Sequence, residues 1–112
     1  MKNAVYVDVD DTIVRSFGSK RIPITAVIEK IRELSSAGYE LYCWSSGGAV
    51  YAEESAKEFG IQDCFVSFLP KPHIILDDQA PSKWPTLSIL HPNEIDKINA
   101  EQNAARRPVP RV

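Results

Sequence analysis

Only two cysteines, Cys43 and Cys64, occur in this 112-residue chain. A disulfide framework is not expected from so few, and a reducing cytoplasm is the simplest setting. Neither cysteine has a histidine nearby to activate its thiol, so both read as core filler. Long apolar runs are missing as well. Nothing approaches the roughly 20 residues a membrane span needs, and no signal-peptide h-region is visible at the start, where the apolar stretch is broken at Asp8. Charge of one sign is equally scarce: 13 Lys and Arg against 15 Asp and Glu leave a net charge of -2. That balance argues against broad electrostatic binding to nucleic acid or to an acidic membrane surface. The length suits one domain with a single core. Residues 1–105 are expected to form it, followed by an Arg/Pro-rich tail at 106–112 that frays. No internal repeat is present.

The stretch around which the chain is organised runs from Ala4 to Thr12. Val5, Tyr6 and Val7 suit a strand buried on both faces. Acidic residues then crowd its end at Asp8, Asp10 and Asp11, with Thr12 after them. Carboxylates so close repel one another unless something positive sits between them. A hard divalent cation such as Mg²⁺ is the usual answer, since it takes oxygen ligands and needs only one or two protein carboxylates. Period-two geometry puts Asp8 and Asp10 on one side of an extended segment. The simpler reading is that Asp10, Asp11 and Thr12 merely form a capped turn.

Downstream, Ile13–Ile22 reads as a short loop or hairpin carrying Arg15, Lys20 and Arg21. Those basic residues are most simply solvated, although the loop leaves the acidic strand and could touch an anionic partner. A helix opens near Pro23–Thr25, with Thr25 or a neighbour as cap, apolar positions at Val27, Ile28, Ile31 and Leu34, and a stop at Gly38. Tyr39–Trp44 is a second strand running into the polar turn Ser45-Ser46-Gly47-Gly48. A second helix covers about Val50–Phe59, and Cys64–Leu69 is a third strand. After the rigid Pro70-Lys71-Pro72, His73–Leu76 is expected as a fourth strand ending in Asp77-Asp78, and Leu87–Leu90 as a fifth. A last helix starts at Pro92-Asn93-Glu94. His73 and His91 read as packing or surface residues, and Trp84 as a core or loop anchor.

Strands alternating with helices predict right-handed crossovers, hence a three-layer α/β/α Rossmann-like fold on a parallel sheet of about five strands. Such sheets place their sites beyond the carboxyl ends of the strands. The polar clusters obey that rule: Asp8 and Asp10 follow strand one, Ser45 and Ser46 strand two, Lys71 strand three, and Asp77 and Asp78 strand four. Each has a simpler reading as a turn or a solvated loop residue, yet all four readings would have to hold together. Gathered on one edge, the groups suit phosphoryl transfer. A carboxylate attacks phosphorus, a second one moves protons, a hydroxyl and a lysine stabilise the phosphoryl oxygens, and the metal neutralises charge.

The four clusters resemble, in order, the four motifs of haloacid dehalogenase (HAD) superfamily phosphohydrolases: Asp8-Val9-Asp10-Asp11-Thr12, Ser45, Lys71 and Asp77-Asp78. The resemblance spans Val5 to about Gln79. It implies a HAD-like core, with Asp8 as nucleophile and Asp10 as general acid/base. Asp8 and the backbone carbonyl of Asp10 would bind Mg²⁺. Ser45 and Lys71 would hold the phosphoryl group, helped by Ser46, and Lys71 would also restrain Asp8. Asp78 would reach the metal with Asp77 in support.

Members of that superfamily usually carry a cap domain after the first motif or before the lysine motif. Neither gap is long enough here, so a capless enzyme is expected. Its open site would be covered by a large phosphorylated partner or by a second subunit in an oligomer. Nucleic acid enters this reading only as a phosphate-bearing substrate. A phospho-acceptor signalling module is the alternative, since receiver domains also gather acidic residues, a hydroxyl and a lysine at strand ends. Their order differs: no Asp ends strand three here, and the lysine precedes the late acidic pair. A phosphate- or metal-binding protein without turnover is a third class, against which the intact Asp10 argues.

Overall fold

The computed structural model describes residues 3–98; the Arg/Pro-rich stretch expected to fray, 106–112, lies outside them. The described elements are β1 (Ala4–Asp8), β2 (Val14–Phe17), β3 (Lys20–Pro23), α1 (Thr25–Ser36), β4 (Glu40–Ser45), α2 (Ala49–Glu58) and β5 (Phe65–Pro70). A short 3₁₀ turn at Gln62–Cys64 leads into β5, and two more follow it at Pro81–Lys83 and Pro92–Lys97. Strands β1, β4 and β5 form a parallel sheet in that order, and β2 and β3 form a separate antiparallel hairpin.

The expected five-stranded, three-layer Rossmann-like sheet is therefore not what the chain builds. Its parallel sheet has three strands, and the other two strands belong to the hairpin. Among the described residues none after Pro70 is in a strand. Ile74 is 85% exposed and Leu76 100% exposed, so His73–Leu76 has no second layer to pack on. Leu87–Leu90 is equally irregular, and the expected last helix is the 3₁₀ run Pro92–Lys97. The physical reason lies in the run length. Three apolar residues such as Ile74, Ile75 and Leu76 carry the composition of a strand, but a strand also needs a neighbour to complete its ladder.

Strands β1 and β4 also differ from expectation in their faces. Val7, Leu41 and Cys43 are buried, while Tyr6, Tyr42 and Trp44 alternate with them on the other side. The Tyr6 ring packs 5.0 Å from Tyr42 and 4.9 Å from Trp44, so one face is core and the other a partly exposed aromatic row. Helix α1 contributes Val27, Ile28, Ile31 and Leu34 to the core, as its periodicity predicts, and α2 contributes Ala52 and Ala56. Of the expected cap, Thr25 or a neighbour, it is the neighbour Ile24 that occupies the cap position of α1, and no side chain caps it.

Candidate active site

Register decides which strand-end groups meet. Asp8 pairs with Trp44, and Trp44 with Leu69. Paired residues of a parallel sheet point to one face, so Asp8, Trp44 and Leu69 share theirs. Lys71, two residues beyond Leu69, returns to the same side. Its Nζ lies 3.1 Å from Asp8 Oδ1, while Thr12 Oγ1 donates to Asp8 Oδ2 at 3.2 Å. Thr12 is brought there by a tight turn in which the amides of Thr12, Ile13 and Val14 all donate to the carbonyl of Val9. Asp11 adopts a left-handed backbone, φ +61°, to make that turn. Burial alternates through Val7 and Val9, leaving Asp8 and Asp10 on the side away from the core, as period two predicts.

Ser45 falls on the opposite alternation, with Leu41 and Cys43, and is buried. Its Oγ accepts from the amide of Gly47 at 3.0 Å, which leaves its own O–H free to donate. Its carbonyl accepts from the amide of Lys71 at 2.9 Å, tying the lysine to this turn. Ser46 is exposed at the apex. The turn needs glycine twice over. Gly48 has φ +103°, and a Cβ at Gly47 would stand 3.0 Å from the Tyr51 ring.

Asp10 has a partner that sequence reasoning did not single out: Tyr51 on α2 donates to Asp10 Oδ1 at 2.6 Å. Arg21, read from the sequence as a solvated loop residue, donates to Tyr51 Oη at 2.8 Å, to Ser55 Oγ at 2.9 Å and to Glu58 Oε1 at 3.0 Å. The hydrogen bond to Tyr51, reinforced by Glu58, holds the guanidinium above its ordinary pKa. The only signal for either residue was position: Tyr51 follows the Ser45 turn, and Arg21 sits in the basic stretch after the acidic strand.

Of the four expected corners, Asp8 and Lys71 are in side-chain contact, whereas the Ser45 side chain takes the opposite face. Asp77 and Asp78 are exposed, and Asp77 Oδ1 accepts from the amide of Gln79 at 2.9 Å, which is turn chemistry. Among the described residues no three His, Cys, Asp or Glu side chains stand close enough to share a metal ion. Trp84 donates from its ring nitrogen to the carbonyl of Gln79 at 3.2 Å, anchoring the same loop. Asp8, Thr12 and Lys71 line part of a cleft of about 1470 Å³, whose other walls include Trp44, Ile75 and Trp84. Buried Cys43 is not a competing nucleophile. Desolvation, with the nearby Asp8 charge, pushes its thiol up to about 12.

Comparison with family models, with curated proteins and with solved structures finds no match to the chain. Among the described residues, no helix is long and apolar enough to cross a membrane.

Proposed function

We propose that the protein is a Mg²⁺-dependent phosphomonoester hydrolase acting through an aspartyl-phosphate on Asp8, akin to the HAD phosphohydrolases its motifs resemble. One observation carries the reading: Lys71 and Thr12 each engage one oxygen of the Asp8 carboxylate, at 3.1 and 3.2 Å. A carboxylate gripped from both sides at the end of a strand has a fixed orientation for attack on phosphorus.

Asp8 and Asp10 offer hard oxygen donors in the small number that Mg²⁺ asks of a protein, and to that extent the residues fit the ion. When bound there, the ion would supply positive charge to the phosphoryl oxygens. In the first half-reaction an Asp8 oxygen bonds to phosphorus, the bond to the leaving oxygen breaks, and Asp10 protonates that oxygen. In the second, water gives a proton to Asp10 and bonds to phosphorus as the Asp8–phosphorus bond breaks, releasing inorganic phosphate. Lys71 offsets charge on the phosphoryl oxygens in both halves. Ser46, exposed at the apex of the Ser45–Gly48 turn, offers a further hydroxyl donor, whereas the Ser45 side chain takes the opposite face. The apolar side of the cleft accommodates the organic part of the ester.

Between Thr12 and strand β4 the chain holds only the β2–β3 hairpin and α1, which supports a capless site covered by a bulky phosphorylated substrate or by another subunit. The free thiols Cys43 and Cys64 support a cytoplasmic setting.

The test is phosphate release from p-nitrophenyl phosphate with Mg²⁺ or EDTA, for the native protein and Asp8→Asn. Turnover that needs Mg²⁺ and disappears in Asp8→Asn is the expected result. A lasting aspartyl-phosphate on Asp8, formed from acetyl phosphate with release of acetate and not hydrolysed, would assign a phospho-acceptor module instead. Neither turnover nor adduct would sink both readings.

A further inference from the structure

One guanidinium joins the hairpin, helix α2 and the acidic strand end. Arg21 reaches from β3 to three side chains of α2, Tyr51, Ser55 and Glu58. Its charge lies 5.4 Å from the centre of the Tyr51 ring and 5.9 Å from that of Phe59. The direction of the chain of hydrogen bonds is fixed by chemistry. A guanidinium can only donate, so the Tyr51 oxygen accepts from Arg21; facing an ionised Asp10, which can only accept, it gives its single proton to Oδ1. Asp10 Oδ1 is thus an acceptor, and any proton that Asp10 carries sits on Oδ2. The Tyr51 ring also lies beside Gly47, where a Cβ would stand 3.0 Å from it.

We propose that Tyr51, held in place by Arg21, is a positioning residue that makes the two oxygens of Asp10 unequal and presents Oδ2 to the leaving oxygen. The inference rests on the reading of Asp10 as general acid/base. Tyr51 touches no reacting atom and keeps its own proton throughout. In the first half-reaction the Oδ2 proton passes to the leaving oxygen as its bond to phosphorus breaks. In the second, the proton returns to Oδ2 from the attacking water. Without the Tyr51 hydroxyl the carboxylate would rotate between equivalent orientations, and the proton would be misaligned for much of the time.

A misaligned acid matters most when the leaving group is poor, because a good leaving group departs without a proton. The experiment compares kcat/KM, which covers the steps up to departure of the leaving group, for p-nitrophenyl phosphate and for propyl phosphate. With Tyr51→Phe, kcat/KM on propyl phosphate is expected to fall about tenfold or more, part of the roughly 10²–10⁴-fold that acid catalysis contributes, while the aryl ester changes by less than about threefold. Arg21→Lys keeps the charge but loses the planar fork. It should show the same selective loss more weakly, and it serves as the second variant if Tyr51→Phe does not fold. Equal losses on both esters, or none on either, overturn the proposal while leaving the hydrolase reading intact. A native protein inert toward both esters, with Asp8→Asn indistinguishable from it, overturns the hydrolase reading and this one with it.

Discussion

Lys71 and Asp8 meet at 3.1 Å although β4 lies between their strands. Two strand spacings separate β5 from β1, roughly 9–10 Å, so the extended lysine side chain spans the edge of the sheet to reach its partner. The pairing follows from register, since Asp8, Trp44 and Leu69 form one row and Lys71 is next on that face. The same register sends the Ser45 side chain the other way.

Replacing Lys71 with Met should therefore separate catalysis from stability. The two side chains are 37% and 32% exposed, so solvent screens the pair and its loss should cost no more than about 1 kcal/mol. Turnover should nevertheless fall about 10²–10³-fold, as when a donor to the developing charge is removed. Urea unfolding and phosphate release on the same preparation check both halves. A large stability loss with little change in turnover would make the ion pair structural.

The order of elements in the first 70 residues was legible because two independent signals agreed there, although the partly exposed aromatic face of β1 and β4 was not. β-Branched residues in Val5–Val7 and the 3.6-residue spacing of Val27, Ile28, Ile31 and Leu34 each found a core to bury them. After Pro70 only composition spoke. Ile74, Ile75 and Leu76 look like a strand, but strand formation depends on a neighbouring ladder that a sequence does not display. At the site, Asp8 and Lys71 were legible from their positions at strand ends. Tyr51 and Arg21 were not, because their hydrogen bonds join residues 30 and more positions apart, and a lone Tyr on a helix resembles any half-buried aromatic. Ser45 was placed correctly at its strand end. Its inward aim depends on the alternation within β4, which a short apolar strand followed by serine does not reveal.

The irregular segment after Pro70 can be tested by truncating two leucines. Leu41 is 0% exposed in β4 and Leu76 100% exposed in the segment. Leu41→Ala should cost about 2–5 kcal/mol, whereas Leu76→Ala should change stability by no more than about 0.5 kcal/mol. Denaturant midpoints of the two variants against the native chain decide it. A cost above about 2 kcal/mol for Leu76→Ala would mean that His73–Leu76 packs as a buried strand in solution.

Alkaline pH should weaken the fold through Cys43. Burial first, and the negative charge of Asp8 second, raise its thiol from 9.0 to about 12. The protonated thiol is thus retained in the folded state over a range where the unfolded chain has lost that proton. Its contribution is complete below about pH 9 and is lost as pH rises toward 12. Within that window the slope approaches about 1.4 kcal/mol per pH unit. Tyrosines and lysines also titrate there, so the informative quantity is the difference from Cys43→Ala, which removes the thiol and leaves them in place. Urea unfolding between pH 8 and pH 11 should show native stability falling more steeply than that of the variant. Parallel curves would mean that the Cys43 thiol ionises as readily in the folded protein as in the unfolded chain.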